Sequence, residues 1–205
     1  MNKIDTIIFD LGGVLIDWNP EYVFIDVFNG NKEKMRWFLD NVCTLDWNEN
    51  QDAGSLIEDA NKTLINKFPE FENEIKQYYG RWVEMLGGPI EETVTILDKL
   101  IKTNAYKIVA LTNWSAETFP VALNMFEFLH WFDGIVVSGE EKTRKPFNKI
   151  YNITLERFNI TSENAIFIDD NLRNINAANN LGIHGIHFES PSKLIQQLKT
   201  YNIHL

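Results

Sequence analysis

The sequence holds a single cysteine, Cys43. An internal disulfide is therefore impossible, and no Cys/His cluster has the spacing of metal ligands. Cys43 is expected to be a small buried hydrophobe, and the chain to work in a reducing, cytoplasmic location. No apolar run approaches the ~20 residues that span a bilayer; the longest early one, Thr6-Ile7-Ile8-Phe9, is strand-sized. The opening residues carry no basic flank followed by an apolar stretch, so no secretory signal is read there. Positive charge is also scarce. Nineteen Lys and Arg stand against 29 Asp and Glu, a net charge of −10. That excludes a basic nucleic-acid footprint, and neither nucleic acid nor membrane is expected as a partner. The four histidines, His130, His184, His187 and His204, are scattered and form no motif.

What is present is ordinary globular composition: 44% hydrophobic and 23% charged residues in 205, enough for one domain or a core carrying a small insert. Short runs rich in Ile, Val and Phe occur at Asp5–Asp10, Tyr106–Leu111, Gly134–Val137, Ala165–Asp169 and His184–Phe188. They have the continuous apolar character of parallel strands covered on both faces. Helical patterns alternate with them. Pro89 is expected to open one with Ile90, Val94, Leu97, Leu100 and Ile101 on a stripe. Pro146 is expected to open another with Ile150, Ile153, Leu155 and Phe158 inward. A third spans Asn171–Leu181, with Gly182 as its C-terminal cap, and a fourth Ser192–Tyr201. This alternation predicts a parallel sheet with right-handed crossovers.

The stretch from about Asn19 to Gly88 differs. It shows helical patterns at Glu21–Phe28, Lys32–Val42, Ser55–Phe68 and Phe71–Met85, and no good strand. It is too long for an ordinary crossover and reads as an inserted helical subdomain. The expected organisation is an α/β core over residues 1–18 and 88–205, Rossmann-like, with an all-helical cap over 19–87. Four of the six tryptophans, Trp18, Trp37, Trp47 and Trp82, fall in the insert or at its edge. Core packing of a small bundle is the first expectation for them.

Three strands end in polar residues: Asp10 after the first, Thr112-Asn113 after the second, Asp169-Asp170 after the fourth. Open α/β sheets place ligands outside the carboxyl ends of strands where strand order reverses. If the first and fourth strands are neighbours, Asp10 and Asp170 converge, and a hard divalent cation relieves their repulsion. Each residue has a plainer role open to it. A strand-end Asp can serve a turn, Asp169-Asp170 can cap the following helix, and Lys145 and Arg144 can be solvated side chains. The ordered set is the specific signal.

With FDLGGVLID (Phe9–Asp17), ALTNWS (Ala110–Ser115), RKP (Arg144–Pro146) and FIDDN (Phe167–Asn171) in that order, essentially the whole chain resembles the haloacid dehalogenase superfamily, in a helical-cap branch similar to sugar-phosphate phosphatases. The resemblance implies a Mg²⁺-dependent phosphatase acting on a small phosphorylated metabolite. In it Asp10 attacks phosphorus to form an aspartyl-phosphate that water hydrolyses. Asp10, Asp170 and the Gly12 carbonyl would hold Mg²⁺, with Asp169 as a metal ligand or supporting carboxylate. Thr112 would donate its hydroxyl to a phosphoryl oxygen, helped by the Asn113 backbone, and Lys145 would neutralise charge. Asn174 stands where relatives often carry another acid.

One position departs from the pattern. Most phosphatases of this superfamily carry a second Asp two residues after the nucleophile, and here that residue is Gly12. General-acid assistance is typically worth ~10²–10⁴-fold. Its loss leaves three readings: substrates with good leaving groups such as sugar 1-phosphates, a substitute acid with Asp17 the nearby candidate, or a protein that binds without turnover. A 2-haloacid dehalogenase is the competing enzyme class, and the acidic pair Asp169-Asp170 argues against it. Trp114, next to Thr112-Asn113, is a candidate wall of the site.

Overall fold

The computed structural model describes residues 3–205; Met1 and Asn2, assigned above to the core, lie outside them. The chain begins with β1 (Thr6–Phe9) and a short flap strand, β2 (Ile16–Trp18). It then enters a helical insert of α1 (Glu21–Val27), α2 (Lys32–Asn41), α3 (Leu45–Asp52), α4 (Ile57–Lys67) and α5 (Glu72–Gly80). A 3₁₀ turn at Trp82–Met85 leads back through β3 (Leu86–Pro89) to α6 (Glu91–Lys102). The remainder is β4 (Lys107–Thr112), α7 (Phe119–Met125), β5 (Gly134–Val137), α8 (Ser138–Glu141), α9 (Asn148–Arg157), β6 (Ala165–Asp169), α10 (Leu172–Asn180), β7 (His184–His187) and α11 (Pro191–Thr200).

The main sheet has five strands in the order β5-β4-β1-β6-β7, all parallel. Alternation along each strand explains its two covered faces. Ile7 and Phe9 of β1, with Ile166 and Ile168 of β6, face one layer with Leu97 and Leu100 of α6 and Leu194 and Leu198 of α11. Ile8, Val109 and Phe167 face the opposite layer, with Ile150 and Tyr151 of α9 and Ile175 and Ala178 of α10. At roughly 1.5–3 kcal/mol per fully buried Ile, Leu or Phe side chain, these two layers are the main cohesive term.

The five apolar runs of the sequence all become strands, and the first and fourth are neighbours: Phe9 is in register with Ile168, and the Asp10 N–H donates to the Ile168 carbonyl at 2.8 Å. Strand order reverses at β1, which lies between β4 and β6. Gly182, at φ +82°, follows the end of α10, and the Ile183 N–H closes back on the Ala178 carbonyl, as a glycine C-cap requires.

Some details differ. Pro89 ends β3 instead of opening α6, and Pro146 precedes α9, which starts at Asn148 after an extended Phe147. The stretch read as strand-free contains the start of β3, which pairs antiparallel with β2. Its sequence, Leu-Gly-Gly-Pro, has the composition that weakens strands, and tertiary pairing alone makes it one. Helix α3 was not anticipated. Thr44 caps it by accepting the Trp47 N–H, but its Leu-Asp-Trp-Asn-Glu-Asn-Gln-Asp sequence offers no apolar stripe.

The insert has its own aromatic core. Phe24, Phe38 and Tyr78 are fully buried, with the Phe24–Phe38 and Phe24–Tyr78 ring centroids 5.1 and 5.9 Å apart. Trp47 packs edge-on against Tyr78, whereas Trp37 is half exposed on the surface. No helix among the described residues is long and apolar enough to cross a membrane.

Candidate active site

Asp10 leaves the end of β1, at the reversal point of the sheet, and is buried. Its Oδ1 accepts the Leu11 N–H at 2.7 Å, and its Oδ2 lies 2.9 Å from the Lys145 ammonium. Lys145 is wholly enclosed, and Nζ also meets Asp169 Oδ2 at 2.7 Å. The lysine is held by its backbone. Asn113, at the end of β4, accepts the Lys145 N–H with Oδ1 at 2.8 Å and donates Nδ2 to the Lys145 carbonyl at 3.0 Å. The Asn113 side chain therefore positions Lys145.

Asp169, at the end of β6, is also fully buried, and protein donors surround it. Oδ1 accepts the Asn171 N–H at 2.7 Å, and Asn174 Nδ2 reaches both oxygens at 3.1 Å. Asn174 thus orients Asp169. The cap of α10 is Asn171, whose side chain accepts the Arg173 N–H, so the two aspartates are free of that duty. Asp170 is exposed. Carboxylate oxygens of Asp10, Asp169 and Asp170 all lie within 4.8 Å of one another.

The electrostatics follow from this crowding. Burial pushes the Asp10 carboxyl well above the ordinary carboxylate range; Lys145 pulls it back, and Asp169 and Asp170 push it up again. Burial opposes the charge on Lys145, but Asp10 and Asp169 outweigh it and hold the ammonium above its usual pKa. Three carboxylates against one ammonium leave two negative charges uncompensated, an arrangement that a divalent cation neutralises. Gly13, at φ +73°, makes the approach possible: a Cβ there would stand 2.4 Å from Asp170 Oδ2. Around Gly12 there is open space, with no atom within 4 Å of where its Cβ would be.

Thr112, at the end of β4, is buried, and its hydroxyl has no partner. Unpaired buried hydroxyls are uncommon in folded proteins, and this one stands on the same sheet edge as Asp10. Beside Gly12 a cavity of about 100 Å³ opens, walled by Trp18, Tyr79, Trp82 and Trp114, with Asn113 and Asp52 also lining it. Trp82 and Trp114 meet edge to face, centroids 5.6 Å apart. Trp114 thus lines the site, and so do two of the insert-edge tryptophans expected to serve packing.

Sequence reasoning missed the contribution of α3. Glu49 pairs with Arg144 Nη2 at 2.6 Å and with Arg173, both from the core. The Asp52 carbonyl accepts from the Ser138 hydroxyl. The core's Glu117 accepts the Ile57 N–H at the start of α4. Arg144, for which a solvated side chain was the plainer reading above, serves this bridge. The enclosed Glu49–Arg144 pair is a charge-assisted bond worth about 1.5–3 kcal/mol. Glu49→Gln should therefore loosen α3 from the core and raise KM roughly 10-fold, with a smaller change in kcat; steady-state kinetics with a phosphate ester checks it.

The family profile described as haloacid dehalogenase-like hydrolase matches residues 7–188. The chain belongs to the haloacid dehalogenase-like hydrolase family. This hydrolase is 24% identical over 205 residues to the sesquiterpene phosphatase astK of Aspergillus oryzae, covering 94% of this chain and 93% of that one. It is 24% identical over 183 residues to the pyrophosphatase PpaX of Bacillus cereus, covering 88% and 81%. A family enzyme from Bacteroides thetaiotaomicron, solved with magnesium and inorganic phosphate, superimposes with a TM-score of 0.66 at 23% identity, covering 93% and 98%. That last likeness establishes the α/β fold for this family member.

Proposed function

We propose that this hydrolase is a Mg²⁺-dependent phosphomonoesterase working through an aspartyl-phosphate on Asp10. The observation that carries the reading is the buried Lys145, clasped between Asp10 and Asp169 beside an open Asp170, with charge left over for a divalent cation. The two relatives, a sesquiterpene phosphatase and a pyrophosphatase, support phosphoryl chemistry here. A haloacid offers no dianion to offset and needs no such excess of carboxylate.

Asp10, Asp170 and the Gly12 carbonyl would hold Mg²⁺. Asp169, already saturated by Lys145, Asn171 and Asn174, supports the lysine instead of the metal. When bound, the ion supplies charge neutralisation and polarises a phosphoryl oxygen. The chain's own groups do the rest. Lys145 and the Leu11 N–H hold the Asp10 carboxylate so that its free lone pair meets phosphorus in line. Thr112 donates its unpaired hydroxyl to an equatorial oxygen, where transition-state charge accumulates. The P–O bond to the leaving group breaks, and water later cleaves the Asp10–phosphorus bond. Residues 19–87 act as a cap that closes over this exchange and excludes bulk water. The aromatic cavity fits the leaving group of a small metabolite with a flat apolar face, sugar phosphates included, since sugar rings stack on indoles.

The test is p-nitrophenyl phosphate hydrolysis with Mg²⁺ and then with EDTA. Turnover should appear with Mg²⁺, fall to background with EDTA and return when Mg²⁺ is restored. Metal-independent halide release from a 2-haloacid would move the protein to the dehalogenase branch.

A further inference from the structure

The proposal above leaves a gap: no side chain at Gly12 can protonate the departing oxygen. Asp17, the acid nearest in sequence, does not fill it. Its carboxylate accepts the Tyr22 hydroxyl at 2.6 Å and packs where a Cβ on Gly87 would lie, and it does not line the cavity.

Asp52 does line it, together with Gly12. Helix α3 delivers this carboxyl from the cap, and its position is fixed from both sides. Asn48 Nδ2 donates to Asp52 Oδ2 at 3.0 Å, and Asn48 is itself held by the Tyr79 hydroxyl at 2.9 Å. From the core, the Ser138 hydroxyl holds the residue's carbonyl. The space in front of Gly12, which a second acid of the usual kind would fill, is open toward this cavity.

We propose that Asp52 is the general acid of this hydrolase, donating to the leaving-group oxygen from the cap in place of the carboxyl that Gly12 lacks. The inference rests on the phosphatase reading. In the first step the P–O bond breaks, its electron pair stays on the leaving oxygen, and the proton of the Asp52 carboxyl goes to that oxygen. In the second, the Asp52 carboxylate takes a proton from water as its oxygen bonds to phosphorus and the Asp10–phosphorus bond breaks. The cycle returns both aspartates to their starting states.

The protonation state agrees. Burial, then the neighbouring Glu49 charge, pushes the Asp52 carboxyl up to about 7, against the pull of Arg144, the Ser115 N–H and Lys145. Tyr78 and Tyr79 are the titratable groups facing it from α5, and burial raises both of their hydroxyls, keeping them neutral. A carboxyl poised near neutral pH is suited to give and retake a proton. The arrangement also ties chemistry to closure: only a docked α3 completes the site, so water alone, with the cap open, meets no acid.

The experiment compares wild type and Asp52→Asn on a series from p-nitrophenyl through phenyl to alkyl phosphates, with Mg²⁺. In single-turnover measurements of leaving-group release, Asp52→Asn should lose ~10²–10⁴-fold on alkyl esters and only a few-fold on p-nitrophenyl phosphate, whose leaving group needs no proton, while steady-state turnover, which includes aspartyl-phosphate hydrolysis, should fall on both. Wild-type turnover of the alkyl esters should fall as pH rises through about 7, and the variant should lose that limb. Asp52→Glu should recover part of the alkyl activity. An equal loss of leaving-group release on every ester would assign Asp52 a structural role and overturn the proposal, as would no loss of release on alkyl esters. Absence of turnover by the wild type on any ester would instead overturn the phosphatase reading itself.

Discussion

Lys145→Met should lose both turnover and much of the protein's stability. The side chain is wholly enclosed and meets Asp10 and Asp169 at 2.9 and 2.7 Å. Methionine fills similar volume, so no large cavity opens. What remains is two buried carboxylates with no cation between them. Removing one partner of a buried pair costs about 3–5 kcal/mol, which in a chain of this size lowers Tm by roughly 6–20 °C. The loss should depend on pH in a definite direction. Asp10 already has a raised carboxyl, and without Lys145 it rises further. The folded state then holds the proton more tightly than the unfolded chain does. Stability is fullest below the unfolded carboxylate pKa of about 4 and declines as pH rises through the folded value. The variant should thus melt closer to wild type at pH 5 than at pH 8, and Mg²⁺ should restore part of the difference at pH 8 by binding the folded state alone. Turnover should fall by at least about 10²–10³-fold, the usual loss when a preorganised charge is removed from a transition state. Thermal melts at the two pH values, with and without Mg²⁺, check the argument; a melting point that is unchanged at pH 8 would sink it.

Asp10→Asn should abolish turnover and leave the fold intact. Asparagine keeps the oxygen that accepts the Leu11 N–H and loses the charge and the nucleophile. Because burial disfavours the charged form of this residue, the substitution removes an electrostatic cost as well as one partner of Lys145, which retains Asp169. The melting temperature should therefore move little, while kcat falls on the order of 10⁴-fold or more, as when the nucleophile of a covalent mechanism is deleted. Acid quenching with labelled substrate gives the direct readout. Wild type should carry acid-stable label at Asp10 in the first turnover, and the variant none. Label on the variant would place the nucleophile elsewhere.

Much of this was legible from the chain itself. Parallel strands covered on both faces read as continuous apolar runs, and each such run became a strand. The polar residues that end them, Asp10, Thr112-Asn113 and Asp169-Asp170, fell at one sheet edge because strand order reverses at β1. Lys145 was legible by motif, but its mode of holding was not: the Asn113 amide that clamps its backbone comes from another strand's end. The contrast between Asp169, enclosed by donors, and the exposed Asp170 was also hidden, since it depends on which side chains the fold brings around each.

By itself the sequence determined the alternating core, the presence of a helical insert and the strand-end residues, because periodicity and apolar runs report burial against a hydrophobic layer. Only the tertiary structure decided the flap and the arrival of α3. The flap strands Ile16–Trp18 and Leu86–Pro89 owe their form to each other, not to propensity. Helix α3 is held to the core by Glu49, Asp52 and their polar partners. A helix docked through hydrogen bonds and ion pairs leaves no apolar stripe in its sequence, and so the carboxyl it brings to the cavity beside Gly12 could be found only in three dimensions.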